Sequence, residues 1–472
     1  MGQSGRRSDV GQYALHGGYG GRREASDREP GPERSGAKRQ EREAMTSPAS
    51  AQHDPGLGRG ACPSVHTPFV ELDGALLRIR LPGGSLAAAA ARELAAVASE
   101  AGAGPFELTN RANLQLRGVP VEDVPAVRDA LIAIGITPSD PGADERRNVM
   151  ASPTAGVDAE ELVDTRPLAS AIADRLGSAP ARLPSPSFGV LVDGGGAVHL
   201  RGRRHDLAFG ALRDVDGSVK YEVRYADVLP LVHRADEMVR MVGVADVLDV
   251  VDAAIAGHRA SDALVSRRGS DLAASLEPSR PAVGVQAQRQ SGRVWVGGTP
   301  MLGRLDPSTL AGLADVAAHK AASTLRVTPW RGVVLRDVAD RDEATVVAAC
   351  EELGLVCDPT HAANVVVACA GSLGCAAGMV DTQADARALV DRLSALPASR
   401  RPASVHVSGC EKGCARSQPA ELSIVGGPGP GSYDLYVGDG AARSAERFGV
   451  GVERGLDPER AIDAVVARGS EQ

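Results

Sequence analysis

Four cysteines form two short motifs in the C-terminal half of the chain. Cys369 and Cys375 make a C-x5-C motif, and Cys410 and Cys414 make a C-x3-C motif that begins after thirty-four intervening residues. Four thiolates suit either an iron–sulfur cluster or zinc. Zinc sites usually show shorter C-x2–4-C spacings, so the C-x5-C motif favours a [4Fe-4S] cluster. Structural zinc and plain thiols are the alternatives.

Glycines flank both cysteine motifs. Gly371 and Gly374 lie inside the first motif, and Gly409 and Gly413 lie next to the last two cysteines. Residues without a side chain let the backbone wrap closely, so that amide N–H groups can reach cluster sulfurs and tune the reduction potential. The glycines therefore favour the iron–sulfur interpretation.

The remaining cysteines and the composition predict an unexported protein. The chain has seven cysteines, an odd number, and its first residues lack the basic, apolar and small-residue segments of a secretory signal. Both features favour thiols or metal ligands over disulfides. Cys62, Cys350 and Cys357 are scattered and are predicted to be structural. The formal net charge of −8 gives no general attraction to nucleic acid or anionic membranes, and no run of eighteen apolar residues occurs. We expect a cytoplasmic protein with neither partner.

The elements that must position these cysteines recur along the chain. Five blocks repeat in the same order, at offsets of 211 to 219 residues. This pattern predicts a duplicated fold. The alternative is that alanine-rich helices in a biased composition look alike. The paired blocks are Gly84–Leu86 with Gly303–Leu305, Thr109–Arg117 with Thr328–Arg336, Asn148–Val149 with Asn364–Val365, Ala171–Leu176 with Ala388–Leu393, and Asp252–Ala253 with Asp463–Ala464.

Each half begins with a small unit of strand, helix and strand. In the first half, alternation predicts strands over 76–81 and 113–117, and Ser85 is predicted to cap a helix over 86–99. The second half repeats the unit over 293–296, 307–321 and 333–336. A longer mixed segment follows each unit, with helices predicted near 165–176 and 383–394.

The repeat predicts a single metal centre. Stepping back 216 or 217 positions from the four cysteines leads to Pro153, Ala159, Asp193 and Ala197. Because none of these is a cysteine, one half is expected to hold the metal while the other supplies walls for a substrate.

The cysteine signature and the duplication resemble the sulfite and nitrite reductase superfamily. The similarity extends from about Cys62 to the end of the chain. Within the superfamily, three stretches are most similar to the precorrin-3B synthase branch. These stretches are Arg59–Pro63, Asp73–Gly84 and Thr109–Gly118.

The resemblance implies an α+β fold with a duplicated sulfite/nitrite reductase-like architecture. Two ferredoxin-like half-domains, over 59–128 and 279–350, are expected with two larger α+β domains related by a pseudo-twofold axis. The first larger domain, over 129–278, would lack a cluster, and the second, over 351–472, would carry it. Residues 1–58 are rich in Gly, Arg, Glu, Ser and Pro, and this composition predicts a disordered tail.

The resemblance also implies a monooxygenase that uses O2 to convert precorrin-3A to precorrin-3B. Electrons would come from NADH through an external donor, because Gly194–Gly196 lacks the spacing of a nucleotide-binding fingerprint. In haem-containing relatives the last cysteine, here Cys414, bridges the cluster to sirohaem. Sirohaem or non-haem iron therefore stays open as a further cofactor. The alternatives are an assimilatory nitrite or sulfite reductase with sirohaem and a [4Fe-4S] cluster, and a non-catalytic carrier.

Two arginines match family positions that contact the tetrapyrrole. Arg111 and Arg147 are therefore expected to bind its carboxylates, since a guanidinium pairs with a carboxylate in a two-pronged geometry. Arg78, Arg80, Arg117 and Arg331 are weaker candidates. Where the reductases carry two lysines that help bind their small oxyanion, this chain has Ser187 and Gly189. No role is assigned to four histidines that could act as acids or bases, His66, His205, His361 and His406.

Overall fold

The described residues of the computed structural model form four sheets. Residues 1–58, for which disorder is predicted, lie outside the described residues. Cys62 and Ser187 also lie outside them. None of the described helices is long and apolar enough to cross a membrane. The structure describes residues 63–179, 188–201, 203, 205–214, 216–225, 240–255, 279, 282–416, 419–427, 429, 431–438 and 448–470.

The two halves contain closely similar orders of elements, except that a short helix of the first half is replaced by a short strand in the second. The strands of the first half are β1 Phe69–Glu71, β2 Gly74–Ile79, β3 Ser85–Ala87, β4 Phe106–Leu108, β5 Leu114–Val119, β6 Val149–Ala151, β7 Val190–Asp193, β8 Leu207–Arg213, β9 Val219–Tyr225 and β10 Arg240–Gly243. Its helices are α1 Ala88–Glu100, α2 Val124–Ala133, α3 Pro141–Arg146, α4 Arg166–Gly177 and α5 Val247–Ile255.

The second half follows from residue 284. Its strands are β11 Gly284–Ala287, β12 Arg293–Pro300, β13 Arg304–Leu305, β14 Thr324–Val327, β15 Val333–Ala339, β16 Leu355–Val356, β17 Val366–Ala368, β18 Val405–Ser408, β19 Leu422–Gly426, β20 Tyr433–Val437 and β21 Val450–Leu456. Its helices are α6 Pro307–Lys320, α7 Glu343–Glu352, α8 Thr382–Ser394 and α9 Pro458–Ser470.

Two antiparallel sheets exchange a short strand between the halves. The first sheet has the order β1-β2-β5-β4-β13, and the second has the order β11-β12-β15-β14-β3. Arg304 of β13 lies opposite Glu107 of β4, and Ser85 of β3 lies opposite Arg326 of β14. Each sheet therefore depends on a strand from the other half, which locks the duplicated units together.

Two mixed sheets complete the fold and position the cysteines. Their orders are β10-β9-β8-β7-β6 and β17-β18-β19-β20-β21. In each sheet three neighbouring strands are parallel, namely β6-β7-β8 and β17-β18-β19. The carboxyl ends of parallel strands lie at one edge of a sheet, where binding loops collect. Cys369 directly follows β17, and Cys410 lies two residues after β18, so both cysteine loops emerge at this edge.

Helices α1 and α6 share one apolar core with the antiparallel sheets. Their inward residues are fully buried because small and aliphatic side chains recur on one face of each helix. These residues are Ala91, Leu94 and Ala98 of α1, and Leu313, Ala314 and Ala317 of α6.

The predicted duplicated α+β architecture is confirmed, but one predicted helix start is wrong. Ser85 does not cap α1. It lies in β3, and the helix begins at Ala88 after an extended Ala87 that makes no side-chain cap. The physical reason is tertiary, because the backbone around Ser85 pairs with β14 of the other half. The sequence of residues 85–87 alone does not carry that information.

Candidate functional site

One cavity of about 660 Å3 brings together all four motif cysteines. Its walls come from both halves of the chain. The face of the first antiparallel sheet supplies polar and basic side chains, and the loops after β17 and β18 supply the thiols. The lining includes Glu71, Arg78, Arg80, Glu107, Asn110, Arg111, Asn113, Gln115, Arg117, Asn148, Arg331, Cys369, Cys375, Cys410, Lys412 and Cys414.

Backbone groups hold the cysteine loops around the thiols. The N–H of Gly409 donates to Sγ of Cys369 over 3.1 Å, and the N–H of Cys375 donates to the carbonyl of Gly371 over 3.0 Å. Gly371 has φ 68°, and a Cβ there would lie 2.7 Å from the backbone nitrogen of Thr382. Only glycine fits this position, as the motif predicted.

The thiols are close enough to influence one another. Burial raises the pKa of Cys375; the backbone N–H of Ala377 lowers it, and the charges of Glu71, Cys369 and Cys410 raise it further. Cys369, Cys375 and Cys410 are half-buried, and Cys414 is exposed. A cation bound among these sulfurs would favour their thiolate forms.

The donor set fits a cluster by its chemistry. Four thiols from two loops are the usual ligand set of a [4Fe-4S] cluster, in which each iron takes one thiolate. Within the described part of the chain, no group of three or more His, Cys, Asp or Glu side chains is placed to hold a metal ion. Backbone N–H groups from the flanking glycines, such as that of Gly409, are available to the sulfurs.

Arg331 connects the two cysteine loops. Its Nη1 donates to the carbonyl of Ala368 over 3.2 Å, and its Nη2 donates to the carbonyl of Ala415 over 2.7 Å. These carbonyls adjoin Cys369 and Cys414 in the chain. Arg331 has φ 62°, a conformation that non-glycine residues adopt only when their surroundings enforce it. The guanidinium therefore sets the spacing between the first and last thiols.

Arg117 connects the β1–β2 turn to the first cysteine loop. Its Nε donates to Oδ2 of Asp73 over 2.8 Å and its Nη2 to Oδ1 over 3.0 Å, and Nη2 also donates to the carbonyl of Gly374. Arg117 is only 4% exposed. Because its N–H groups donate to Asp73 and Gly374, Arg117 stabilises the wall of the cavity more than it binds a ligand.

Of the two arginines predicted to bind substrate carboxylates, Arg111 lines the cavity. It lies in a turn between β4 and β5 in which the hydroxyl of Thr109 accepts from the N–H groups of Arg111 and Asn113, over 3.3 and 3.0 Å. Ala112 within this turn has φ 55°. The turn holds Arg111 just before the start of β5, close in sequence to Asn113.

Arg147 is not among the residues that line this cavity. Its guanidinium donates to the carbonyls of Ile136 and Arg80 and pairs with Asp144 over 3.4 Å. Burial lowers its pKa, and Asp144 partly offsets that effect. The carboxylate-binding role of Arg147 stays a prediction, and its neighbour Asn148 is the residue that lines the wall.

Other polar groups of the wall follow from the alternation of the first sheet. Arg78 donates to Oε1 of Gln115 over 3.0 Å, and Arg80 pairs with Asp144 over 3.6 Å. Lys412 also lines the cavity and was missed by the sequence analysis. Its position inside the C-x3-C motif, between two predicted ligands, was the available signal.

Gly189 lies beside Arg111 and Asn148. A Cβ at Gly189 would be 2.9 Å from Nδ2 of Asn148 and 3.5 Å from Nη1 of Arg111. A side chain at this position would displace the Asn148 amide, which receives a hydrogen bond from Asn113 over 3.2 Å. The structure therefore uses the absence of a side chain at 189 to accommodate these polar groups.

The four histidines considered in the sequence do not line the cavity. His66 bonds to the carbonyl of Pro138 over 2.9 Å, and His361 accepts from the N–H of Ala363 over 3.1 Å. His406 is 1% exposed and packs against Phe448. Burial lowers the pKa of His205 to about 3, so this imidazole is neutral near pH 7.

Comparison with known proteins places this chain in a class of redox enzymes. The nitrite/sulfite reductase ferredoxin-like half domain matches residues 71–134 and 286–353. A precorrin-3B synthase from Sinorhizobium sp is 32% identical over 415 residues, which cover 82% of this chain and 84% of that protein. A ferredoxin–nitrite reductase from Synechococcus elongatus is 29% identical and covers 74% of this chain and 76% of its own length.

The fold is similar to that of a solved structure. The structure of the Mycobacterium tuberculosis NirA protein superposes with a TM-score of 0.65 at 21% identity, covering 83% of this chain and 79% of that one. The chain therefore belongs to the nitrite and sulfite reductase superfamily of oxidoreductases. The branch that the sequence resembled, precorrin-3B synthase, is represented among its similar relatives.

Proposed function

We propose that this chain acts as a precorrin-3B synthase, an iron–sulfur monooxygenase that converts precorrin-3A to precorrin-3B by hydroxylation and lactone formation in aerobic cobalamin biosynthesis. The observation that carries the proposal is the shared cavity, in which four thiols face a wall of arginines. The 32% identity to a precorrin-3B synthase supports the same function.

Cys369, Cys375, Cys410 and Cys414 would hold a [4Fe-4S] cluster. The cluster would supply single electrons next to the bound substrate. Arg331 would fix the separation of the two cysteine loops through Ala368 and Ala415. Sirohaem and non-haem iron are the candidates for a further cofactor.

The substrate would bind through its carboxylates. A precorrin is ringed by acetate and propionate groups, and the cavity of about 660 Å3 lies within the usual range of ligand pockets. Arg111, Arg78 and Lys412 line the cavity and would pair with these groups. This local positive charge contrasts with the net charge of −8 for the whole chain.

The proposed reaction needs an external source of electrons. One oxygen atom of O2 enters the product and the other leaves as water, which consumes two electrons and two protons. NADH would provide the electrons through a separate reductase or carrier, because Gly194–Gly196 lacks a nucleotide-binding fingerprint. Ferredoxin appears in the names of several similar reductases and is a candidate carrier.

A nitrite or sulfite reductase with sirohaem is the second candidate, supported by relatives at 26 to 29% identity. The position of Gly189 favours the synthase. The reductases carry a lysine here for their oxyanion, whereas in this chain a Cβ at position 189 would lie 2.9 Å from Nδ2 of Asn148, so the amide would have to move.

Two measurements test the proposed function. Turnover of precorrin-3A under 18O2 should place one labelled oxygen in the product, and an unlabelled product or no turnover would contradict the synthase. The visible spectrum of anaerobically purified protein should show a broad cluster shoulder. Strong sirohaem bands together with reduction of nitrite or sulfite would establish the reductase instead.

A further inference from the structure

Asn148 is oriented by a chain of hydrogen bonds that begins at the backbone. The N–H of Leu81 donates to Oδ1 of Asn113 over 2.8 Å, and Nδ2 of Asn113 donates to Oδ1 of Asn148 over 3.2 Å. A backbone N–H can only donate, so it fixes which end of the Asn113 amide is the oxygen, and Asn113 in turn fixes the Asn148 amide. We call these three residues the amide relay. It turns the Nδ2 of Asn148 away from Asn113.

The Nδ2 of Asn148 keeps one hydrogen for a further acceptor. Of its two N–H bonds, one lies near the carbonyl of Phe188 over a long 3.5 Å, and the described residues supply no second acceptor. The backbone of Asn148 is fixed, since its carbonyl accepts from the N–H of Val190 over 3.0 Å. Asn113 and Asn148 both line the cysteine cavity. An oriented amide donor is therefore part of the cavity wall.

The absence of a side chain at Gly189 leaves space beside this donor. A Cβ at Gly189 would stand 2.9 Å from Nδ2 of Asn148 and 3.5 Å from Nη1 of Arg111, so both nitrogens flank the space that a side chain would fill. The N–H of Gly189 donates to Oδ2 of Asp206 over 2.8 Å, and its carbonyl accepts from the N–H of Asp206 over 3.1 Å, which holds this backbone in place. An oxygen atom that enters the space meets an amide and a guanidinium side by side.

The repeat shows that the duplicated fold does not require this arrangement. Asn364, the counterpart of Asn148 in the second half, donates through Nδ2 to the carbonyl of Asp358 over 2.9 Å. The counterpart of Asn113 is Gly332, which has no side-chain amide that could orient Asn364. The amide relay therefore belongs to the half that supplies the polar wall of the cavity.

We propose that Asn148 is a positioning residue whose Nδ2 donates a hydrogen bond to a peripheral carboxylate of the tetrapyrrole, beside the guanidinium of Arg111. A hydrogen bond to a carboxylate is charge-assisted and stronger than one between neutral groups. A side chain at position 189 would fill the space that this carboxylate needs. The inference rests on the proposed function, because it takes a tetrapyrrole as the ligand of the cavity.

Titration with uroporphyrin, which carries acetate and propionate groups, tests this role without turnover. In Asn148→Asp the side chain can still accept from Asn113 but can no longer donate. The purified holoprotein of this variant should bind uroporphyrin about tenfold or more weakly than Asn110→Asp. Asn110→Asp is the matched control, since it adds the same charge to the same cavity and leaves the amide relay intact. Equal affinity of the two variants, with binding by the wild type, overturns the role of Asn148 alone. Absence of binding by the wild type contradicts the proposed function as well.

A second pair of variants leaves Asn148 unchanged and covers the case in which Asn148→Asp does not fold. Gly189→Ala places a methyl group 2.9 Å from Nδ2 of Asn148 and should displace the amide, so the affinity for uroporphyrin should fall. Gly177→Ala is the control, because its methyl group would meet only the Cβ of Ala143, at 4.0 Å. Wild-type affinity in Gly189→Ala overturns the proposal.

Kinetics separate positioning of the substrate from support of the fold. Asn148→Asp should keep the iron content and the cluster absorbance of the wild type. In turnover of precorrin-3A it should raise KM while kcat stays close to the wild-type value, since the hydrogen bond holds the substrate throughout the reaction. Loss of iron, or a lower kcat at unchanged KM, contradicts the proposal. Weaker binding of nitrite or sulfite with unchanged binding of uroporphyrin would assign the donor to a small oxyanion and also overturns it.

Discussion

The guanidinium of Arg336 donates to the carbonyl of Ala155 over 2.8 Å and thereby joins the antiparallel sheet of the second half to the loop that follows β6 in the first. Arg117 makes the equivalent bond to Gly374. The two donors, Arg117 and Arg336, are 219 positions apart, and so are the two acceptors, Ala155 and Gly374. The two bonds are therefore pseudo-symmetric. Each antiparallel sheet therefore holds a loop of the other half, and of these two loops only the one containing Gly374 carries cysteines.

Replacing Cys410 by serine should remove the iron–sulfur absorbance. Serine is a poor ligand for a soft iron site, and the loss of a ligand also removes folding free energy that metal binding supplies. Iron and sulfide analysis of the purified variant measures the effect. The control is Cys350→Ser, in the apolar core, which should keep its iron while losing about 1–2 kcal/mol of unfolding free energy. Wild-type iron and sulfide in Cys410→Ser would contradict the ligand assignment.

Charge reversal in Arg111→Glu should weaken tetrapyrrole binding about 10- to 100-fold or more, since a charge-assisted hydrogen bond contributes about 1.5–3 kcal/mol. Fluorescence or absorbance titration with a carboxylated tetrapyrrole provides the measurement. Arg128→Glu, on the surface of α2, is the matched control and should bind like the wild type. Unchanged affinity in Arg111→Glu removes this residue from the site.

Arg331→Met should loosen both cysteine loops. The substitution leaves the carbonyls of Ala368 and Ala415 without their donor, at about 1–3 kcal/mol for each group that stays buried. We expect faster release of iron in the presence of a chelator. Arg331→Lys should restore only part of the retention, because an ammonium lacks the forked geometry. Release at the wild-type rate in Arg331→Met would show that the loops hold their spacing without it.

Glu161 should make stability depend on pH near neutrality. Burial raises the pKa of this carboxyl from 4.5 to about 7, while the N–H of Gly156 lowers it. The folded protein therefore binds the proton more tightly than the unfolded chain. Its stabilising contribution is complete below pH 4.5 and is lost as the pH rises through 7.

Glu161→Gln tests this dependence. Between about pH 5 and 8 the wild type should lose on the order of 2 kcal/mol more unfolding free energy than Glu161→Gln. Denaturant unfolding at several pH values provides the measurement. Glu160→Gln, at the neighbouring exposed position, is the control and should follow the wild type. Parallel curves for wild type and Glu161→Gln would show that another group titrates.

Much of the fold could be predicted because the signals are local or repeated. The helix predicted over 307–321 occurs as Pro307–Lys320, and that predicted near 383–394 occurs as Thr382–Ser394. The predicted strand over 76–81 occurs as Gly74–Ile79. Such periodicity depends on residues within a few positions of each other, so one sequence suffices to detect it.

Side-chain direction and strand exchange could not be predicted in the same way. Arg111 and Arg147 both matched family positions, yet only Arg111 lines the cavity, because Asp144 and the carbonyl of Ile136 engage Arg147. The pairing of β3 with β14 likewise joins residues more than two hundred positions apart. No pattern in residues 85–87 reveals that partner.

The sequence by itself determined that the chain is duplicated and that one half offers four thiols, since repeats and ligand chemistry are properties of residue type and spacing. Only the tertiary structure decided which guanidinium groups face the cavity and which ones support the cysteine loops. These outcomes depend on contacts between distant segments, whose energies arise only when the halves pack together.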